Sequence, residues 1–526
     1  MSSDNRPTER DESTAERDAY WFRTASGPPR DPLETDVRTD VAVVGAGIAG
    51  LTTALELAEA GRDVAVVERD RVGEGVTARS SAKVTSLHGF RYAGLAEEFG
   101  AETARGYAAA NEAAIDYVER RCEAADADVG FRRLPAYTYV EDDSKRETVE
   151  SEFEAAQRAG LSASLVEDVA VSEDAVGAVR VDDQAQFDPR AYLFALTEAV
   201  DDAGGVVFER TRATDLDTGA PHRVRTERGN VVADDVVVAS HFPVFDRGGY
   251  FARQTPKHSL VVGVRVADPP TEAHFYRESE PYLSIRSAGA SADDEPIVLV
   301  GGQNHQTGKD GSVRERYERL EQQAREHFDV ESVECRWSTQ DFTPIDDLPY
   351  VGEMGPVSDG VYVATGFDGW GMTNGTAAGR IIADLIRGEP NPYADVFDPS
   401  RFTPSAAGDF AKENAEVAKA FVGDWVTKPR ADEVRNLDVD EATVLRDGSD
   451  VRGVYRDDDG DVHAVSAVCP HMGCLVEWND GDRTWDCPCH GSRFDYEGGV
   501  VDGPAVEDLA SVPESKSDGS ASESDD

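Results

Sequence analysis

The chain has 526 residues, of which 40% are apolar and 47 are glycine, a length and composition that favour two or three globular α/β domains and exclude a wholly disordered chain. Its 103 acidic residues outnumber its 53 basic residues and give a formal net charge of -50, which argues against nucleic acid and anionic lipid as partners. The acidity is spread along the chain rather than gathered in one tail, so we expect the carboxylate-rich surface of a protein from a salt-rich cytoplasm.

Residues 1–36 form a polar leader that lacks the basic region and apolar run of a signal peptide. No stretch of about 18 consecutive apolar residues follows it. The sequence therefore predicts a soluble, cytoplasmic protein without membrane insertion.

The first predicted elements after the leader form a βαβ unit, with strands at residues 40–44 and 63–68 and a helix at 48–60. The loop Gly-Ala-Gly-Ile-Ala-Gly at 45–50 joins the first strand to the helix, and this context indicates a dinucleotide site rather than a structural glycine turn, which is the alternative. The second strand ends in Glu68, whose carboxylate is placed to accept hydrogen bonds from ribose hydroxyls.

Each glycine of this loop has a separate physical purpose. Gly45 permits the tight turn, Gly47 lets a pyrophosphate approach the N–H groups at the helix N-terminus, and Gly50 allows close packing of the helix on the sheet.

The middle of the chain mixes charged helical segments, at 94–122 and 145–159, with short β-rich segments such as 297–300. This pattern predicts a second, mixed α+β domain interleaved with the first. The strand-like segments 236–239 and 360–365 are interpreted as returns to the first sheet, because ligands of open α/β sheets lie beyond the carboxyl ends of the strands.

Four segments resemble the D-amino-acid-oxidase-like flavoproteins: 45–68, 78–85, 236–240 and 343–379. The resemblance spans about residues 37–390. It implies FAD bound by the βαβ unit and by a late strand-loop-helix at 364–375, with a helix from Thr376 directing its positive end at the flavin ring; a plain glycine loop is the alternative. No second Gly-rich fingerprint follows a strand, which disfavours NAD(P)H as the electron donor.

The resemblance, together with the glycine loop, gives a predicted set of residues that contact FAD. No cysteine occurs in the loops where this superfamily attaches its flavin, so we expect noncovalent FAD. The predicted contacts are Gly45, Gly47, Gly50, Glu68, Ser80, Ser81, Ala213, Gly366, Gly371, Thr373 and Gly375.

Lys83, His88 and His305 are candidate catalytic residues. Lys83 and His88 follow the 79–81 loop that the resemblance places near the flavin, and His305 stands beside Asn304 on the predicted substrate side. The alternative for each is ordinary, a solvated lysine or a histidine with satisfied hydrogen bonds.

Two short loops near the C-terminus combine cysteine with histidine: Cys469-Pro-His471 and Cys487-Pro-Cys-His490. Two cysteines and two histidines in this arrangement match Rieske ligation of a [2Fe-2S] cluster, with thiolates on one iron and imidazoles on the other. A tetrahedral Cys2His2 zinc site uses the same ligand types and is the alternative.

The same region, about residues 431–510, resembles the Rieske proteins of cytochrome bc-type complexes. The resemblance implies a disulfide between Cys474 and Cys489, although a reducing cytosol disfavours disulfides. It also implies that Ser492 donates to a cluster sulfide and that residues 503–505 cover the cluster, where a surface turn is the alternative. Phe494 stands where high-potential members have tyrosine, so we expect a lower potential.

The predicted fold is a Rossmann-like FAD-binding α/β domain interleaved with an α+β substrate domain, followed by a small all-β Rieske domain. The FAD-dependent part is assigned to residues 37–400, a helical linker to 401–430, the Rieske domain to 431–510 and a disordered acidic tail to 511–526. Within the first part, the FAD-binding segments are about 37–90, 185–243 and 340–390, and the substrate-domain segments are about 91–184 and 244–339.

The predicted function is oxidation of a small amine or amino acid by FAD, with electrons passing singly to the cluster and on to a one-electron acceptor such as a ferredoxin or a quinone-linked protein. Two alternatives stay open: a flavin oxidase that reduces O2 and keeps the cluster for structure, and an electron-transfer module with no small substrate.

Overall fold

The computed structural model describes residues 18–288, 297–309, 311–355, 358–401, 403, 437–447 and 450–512. The α-helices in these residues are α1 (Trp21–Thr24), α2 (Ile48–Glu59), α3 (Tyr92–Glu98), α4 (Ala101–Ala124), α5 (Arg146–Ala159), α6 (Pro189–Asp202), α7 (Val313–His327), α8 (Gly371–Arg387) and α9 (Ala394–Phe397). Among the described residues, no helix combines the length and apolar character needed to cross a lipid bilayer.

The strands before the C-terminal region are β1 (Val37–Val44), β2 (Val64–Val67), β3 (Lys83–Val84), β4 (Arg132–Val140), β5 (Ala163–Val166), β6 (Gly177–Gln186), β7 (Val206–Phe208), β8 (Ala213–Asp217), β9 (His222–Thr226), β10 (Asn230–Val238), β11 (Gln254–Val266), β12 (His274–Arg277), β13 (Leu283–Ala288), β14 (Ile297–Gln306), β15 (Val330–Pro344), β16 (Tyr350–Glu353) and β17 (Val361–Thr365). The C-terminal strands are β18 (Glu441–Asp447), β19 (Asp450–Arg456), β20 (Val462–Ser466), β21 (Glu477–Asn479), β22 (Thr484–Asp486), β23 (Arg493–Asp495) and β24 (Val500–Asp502).

A parallel sheet in the order β17-β10-β1-β2-β7 forms the first layer, with β16 antiparallel at the β17 edge and the β8–β9 hairpin joined to β10. The end of β1 and the whole of β2 are apolar and buried, as central strands covered on both faces require. The predicted βαβ unit is therefore observed, and the carboxyl ends of β1, β2, β10 and β17 meet at one edge of the sheet.

A nine-stranded mixed sheet forms the second layer, in the order β15-β11-β14-β13-β12-β4-β6-β3 with β5 paired to β6. Helix α5 packs on β4, β5 and β6, and α4 packs against α8 of the first layer. The strands of this sheet come from between the segments that build the parallel sheet, so the two layers are interleaved along the chain as predicted.

Two predicted elements differ from the structure. The helix predicted at 94–122 is two helices, α3 and α4, because Gly100 between them adopts a φ of +88°, which interrupts a helix. Part of the predicted polar leader is folded: residues 18–36 contain α1, and Trp21 is buried.

The described residues divide into two compact units, the larger within residues 1–305 and 314–410 and the smaller within 306–313 and 411–526. In the smaller unit, β18–β20 and β21–β24 form two antiparallel sheets around a core that includes Tyr455, Trp485 and Phe494. The helical linker predicted at 401–430 and the acidic tail at 511–526 lie almost entirely outside the described residues.

Candidate cofactor sites and active site

The loop between β1 and α2 is shaped by close backbone contacts. Gly45 has a φ of +105°, and a Cβ there would lie 2.5 Å from the Ala239 carbonyl oxygen. A Cβ at Gly50 would lie 2.0 Å from the Gly45 carbonyl oxygen, so only glycine fits. Within the described residues, the N-cap Gly47 has no side-chain cap hydrogen bond, although Thr77 Oγ1 lies 3.3 Å from the N of Ile48; this helix N-terminus favours the oxygens of an anionic ligand.

The carboxylate of Glu68 lies at the end of β2, beside this loop. It accepts hydrogen bonds from the N–H groups of Ala46 at 2.8 Å and Asp70 at 3.1 Å. Burial raises the pKa of Glu68, and these two donors oppose the rise. The N–H of Thr211 donates to the Glu68 carbonyl at 2.8 Å, which brings the segment that leads into Ala213, the first residue of β8, to the same strand end.

Helix α8 supplies a second uncapped N-terminus. It begins at Gly371, earlier than the start predicted at Thr376, because burial against α2 compensates for the low helix propensity of its glycines. A Cβ at Gly375 would lie 2.8 Å from Ile48 of α2, and a Cβ at Gly379 would lie 2.7 Å from Thr52. The two helices therefore run in parallel, and their N-termini lie at the same end.

His88 joins the first turn of α8 to the second layer. Its Nε2 is 2.6 Å from the Thr85 carbonyl and therefore carries the proton, so Nδ1 accepts from the Tyr107 hydroxyl at 2.6 Å. Nε2 is also 3.2 Å from Thr373 Oγ1, and the imidazole stacks on Trp370 at 4.6 Å. Burial holds the pKa of His88 well below its usual range, so the ring is neutral.

Lys83 is buried close to Tyr276, which contacts Trp370. Its Nζ donates to Ser284 Oγ and lies 4.8 Å from the Tyr276 ring, which makes an edge contact with Trp370 at 5.0 Å. Burial, with the charge of Arg286, holds the pKa of Lys83 well below its usual range. Lys83 thus contacts Tyr276 and His88 contacts Trp370, and these two aromatic rings contact each other to form what we call the aromatic wall.

His305 lies elsewhere on the second sheet. It is buried on β14, its Nδ1 is 2.9 Å from the Gln303 carbonyl, and its ring contacts His258 with centroids 5.3 Å apart. Neighbouring Asn304 accepts a hydrogen bond from Ser259 at 2.8 Å.

A cluster of charged side chains lies next to the aromatic wall, and no motif in the sequence predicted it. Asp368, two residues before Trp370, pairs with Arg91, accepts a hydrogen bond from Thr343 and lies 3.8 Å from Lys257 Nζ. These residues come from distant segments that only the fold brings together.

Two further ionisable residues, Glu278 and His241, were not predicted from the sequence. The carboxylate of Glu278 faces the charges of Lys257 and Arg91, and burial raises its pKa. His241, at the carboxyl end of β10, has its Nε2 3.4 Å from Asp341.

In the smaller unit, the four predicted cluster ligands lie in the loops after β20 and β22, where the two thiols contact each other and the two imidazoles contact each other. Cys469 and Cys487 are buried free thiols, and the rings of His471 and His490 meet edge to face with centroids 5.0 Å apart. A hydrogen bond from Cys487 lowers the pKa of Cys469 to about 7, and burial lowers the pKa of His490 to about 4. Deprotonated cysteine and neutral histidine are the forms that ligate metal.

The remaining two cysteines of these loops lie close to each other. The Sγ atoms of Cys474 and Cys489 are 2.01 Å apart, and both lie within 4.8 Å of Cys487 Sγ. Ser492 lies against Cys469 and accepts the N–H of Ala505 at 3.0 Å, which ties the 503–505 segment to the ligand loops. The donor set and these supports fit a [2Fe-2S] cluster.

Comparison with known proteins gives two matches in one chain. Residues 40–385 match the FAD dependent oxidoreductase family (DAO), and residues 424–513 match the Rieske [2Fe-2S] domain. YhfW of Bacillus subtilis (strain 168), named as a Rieske 2Fe-2S iron-sulfur protein, is 34% identical over 498 residues, which cover 94% of this chain and 97% of that protein.

Two other relatives match the larger unit. Gamma-glutamylputrescine oxidoreductase of Escherichia coli (strain K12) is 26% identical over 400 residues, covering 72% of this chain and 91% of that protein. The crystal structure of glycine oxidase from Geobacillus kaustophilus has a TM-score of 0.58 at 20% identity, covering 69% of this chain and 99% of that one, and shows the shared fold. The predicted fold class and the two predicted cofactors, FAD and a [2Fe-2S] cluster, are confirmed.

Proposed function

This chain belongs to the FAD dependent oxidoreductase family and carries a Rieske [2Fe-2S] domain, and from that premise we propose that it is a dehydrogenase of a small amine or amino acid that sends its electrons through the cluster to an external one-electron acceptor. One observation carries the proposal. The same chain holds the 45–50 loop with Glu68, which we call the dinucleotide cradle, and a pair of loops with two thiols and two imidazoles. A hydride carrier and a one-electron carrier together suit the stepwise export of an electron pair.

When bound, FAD accepts hydride from a substrate C–H bond, and the cluster carries single electrons. The residues that would hold the pyrophosphate and ribose are Gly45, Gly47, Gly50 and Glu68. The uncapped N-terminus of α8, at Gly371, would direct the positive end of the helix at the ring and favour negative charge there. Ser80, Ser81 and Ala213 would complete a noncovalent site.

The aromatic wall of Tyr276 and Trp370, with buried Lys83 and His88, would exclude water from the reacting face. Burial favours the uncharged form of Lys83, whose lone pair would accept a hydrogen bond from a substrate ammonium. Glu278, at the charged group beside the wall, would orient an amine by charge.

The relatives support this assignment by analogy. YhfW, by its name a Rieske 2Fe-2S iron-sulfur protein, aligns with 94% of this chain over 97% of its own length, and gamma-glutamylputrescine oxidoreductase is by its name an oxidoreductase of an amine. We infer the domain bounds given above, cluster ligation by Cys469, His471, Cys487 and His490, and a Cys474–Cys489 disulfide that ties the ligand loops. The proposed acceptor is a ferredoxin or a quinone-linked protein, and the proposed setting is a high-salt cytoplasm.

An anaerobic substrate screen tests the enzymatic part. Purified, iron-replete protein at high salt would be mixed with amines, amino acids and hydroxy acids while flavin absorbance is followed. We expect an amine or amino acid to bleach the flavin, and Lys83→Met to slow the bleaching without loss of FAD. Bleaching by hydroxy acids alone, or by none of the three classes, would contradict the proposal.

A further inference from the structure

Four consecutive backbone carbonyls, those of residues 79–82, each accept a hydrogen bond from a buried side chain. Trp337 Nε1 donates to the Arg79 carbonyl at 2.7 Å, and Trp21 Nε1 donates to the Ser80 carbonyl at 2.8 Å. Arg286 Nη1 donates to the carbonyls of Ser81 at 2.8 Å and Ala82 at 2.7 Å.

The three donors come from separate elements, α1, β13 and β15, but form one layer. Trp21, Trp337 and Arg286 are at most 4% exposed, and the Arg286 guanidinium lies 5.1 Å from the centre of the Trp21 ring. Water does not compete for carbonyls at such a buried layer, so each bond holds the loop firmly.

The other side of the 79–82 loop continues into residues that contact the dinucleotide cradle. The short 3-10 helix Val76–Arg79 places Thr77 Oγ1 3.3 Å from the N–H of Ile48, at the start of α2. Ser80 Oγ accepts the N–H of Ala82, which has a φ of +56°, and Lys83 follows directly at the start of β3. Holding the four carbonyls therefore fixes both the cradle wall and the position of Lys83.

We propose that Trp21, Trp337 and Arg286 form a strap that sets the FAD-binding loop in its binding conformation before the cofactor arrives, so that the segment around α1 is part of the cofactor site. The strap residues are positioning residues, since they act through the loop. The inference rests on the proposed contact of Ser80 and Ser81 with FAD. Preorganisation of this kind raises affinity by removing the cost of ordering the loop on binding.

The test uses Trp21→Phe and Trp337→Phe, which keep a buried aromatic ring and remove the N–H donor. The full chain would be stripped of flavin and titrated with FAD, with flavin fluorescence giving Kd. Each single variant should raise Kd about fivefold, the factor for one hydrogen bond, and the double variant by more. Trp485→Phe, which loses an indole donor to Tyr496 in the smaller unit, is the matched control and should leave Kd unchanged.

A purely structural role would give a different result. The strap predicts that the stabilisation that saturating FAD adds to the unfolding midpoint falls clearly in the Trp21→Phe and Trp337→Phe variants. An unchanged Kd with a lower midpoint of the FAD-free protein would overturn the strap while leaving the proposed function intact. Equal weakening of FAD binding by Trp485→Phe would also overturn it. If the unaltered chain bound no FAD, the proposed function would fail with it.

Discussion

Lys83 shows how a residue found in the sequence acquires meaning only from its surroundings. A lysine after a serine loop is ordinary, but this one lies in the interior with a serine hydroxyl as its hydrogen-bond partner and Arg286 nearby. Such burial disfavours the charged form and pushes the amine toward neutrality.

Lys83→Met should make the folded protein more stable near neutral pH. The pKa of Lys83 is lower in the folded state than its unfolded value of about 10.4. At a pH below the unfolded value, folding must therefore either remove the proton from Lys83 or bury the charged ammonium, and both cost free energy. Methionine removes that cost, so we expect a gain in the free energy of unfolding at pH 7 that shrinks as pH rises toward about 10.4. Denaturant unfolding of both proteins across this range measures it. A variant that is less stable at every pH would contradict the argument.

Ser492 offers a residue-scale test of the smaller unit. Its hydroxyl lies against Cys469, and donors to cluster sulfur raise the potential. Ser492→Ala should therefore lower the midpoint potential in an EPR-monitored redox titration. Ser511→Ala, at an exposed serine outside both ligand loops, is the matched control and should leave the potential unchanged. A potential that stayed equal in Ser492→Ala would show that this serine does not donate to the cluster.

At the scale of elements, the local βαβ unit was predictable and the second sheet was not. The unit rests on apolar runs and glycines that are contiguous in sequence, whereas the second sheet pairs β4 with β12 and β3 with β6, across long separations. Only the fold brings Asp368, Arg91 and Trp370 together, so none of them was a candidate. The proposed cluster ligands could be predicted because each pair of cysteine and histidine lies within one short loop.

The contact of α2 with α8 gives a prediction at this scale. A side chain at Gly379 would meet Thr52 and the Ala49 carbonyl, so Gly379→Leu should force the two helix N-termini apart. We expect a loss of about 1–3 kcal/mol in stability and weaker FAD binding. Gly94→Leu in α3, where a Cβ meets nothing within 4 Å, is the matched control and should leave FAD binding unchanged without lowering stability. Thermal unfolding measures the stability of both variants, and FAD titration measures their affinity for FAD. A Gly379→Leu variant as stable and as tightly binding as the control would contradict the prediction.

The whole molecule carries a formal charge of -50, so its acidic side chains repel one another in dilute buffer and destabilise the folded state. Salt screens this repulsion, because the Debye length falls from about 10 Å at 0.1 M to about 3 Å at 1 M. The unfolding midpoint should therefore rise steeply between low and molar KCl. Sucrose, which is uncharged, should raise it less at matched osmolality. A midpoint indifferent to KCl would contradict the inference of a high-salt setting.

The central claim is that electrons from substrate reach the cluster. The measurement that tests it most directly is anaerobic stopped flow with freeze-quench EPR, using the substrate identified by the screen or light for flavin reduction. The relay predicts that the Rieske EPR signal grows at the rate at which reduced flavin disappears, and that Cys487→Ser, which removes a proposed ligand, leaves the flavin reduced. If the flavin were reoxidised only after O2 is admitted, while the cluster stayed oxidised throughout, the chain would be an oxidase and the relay would be wrong.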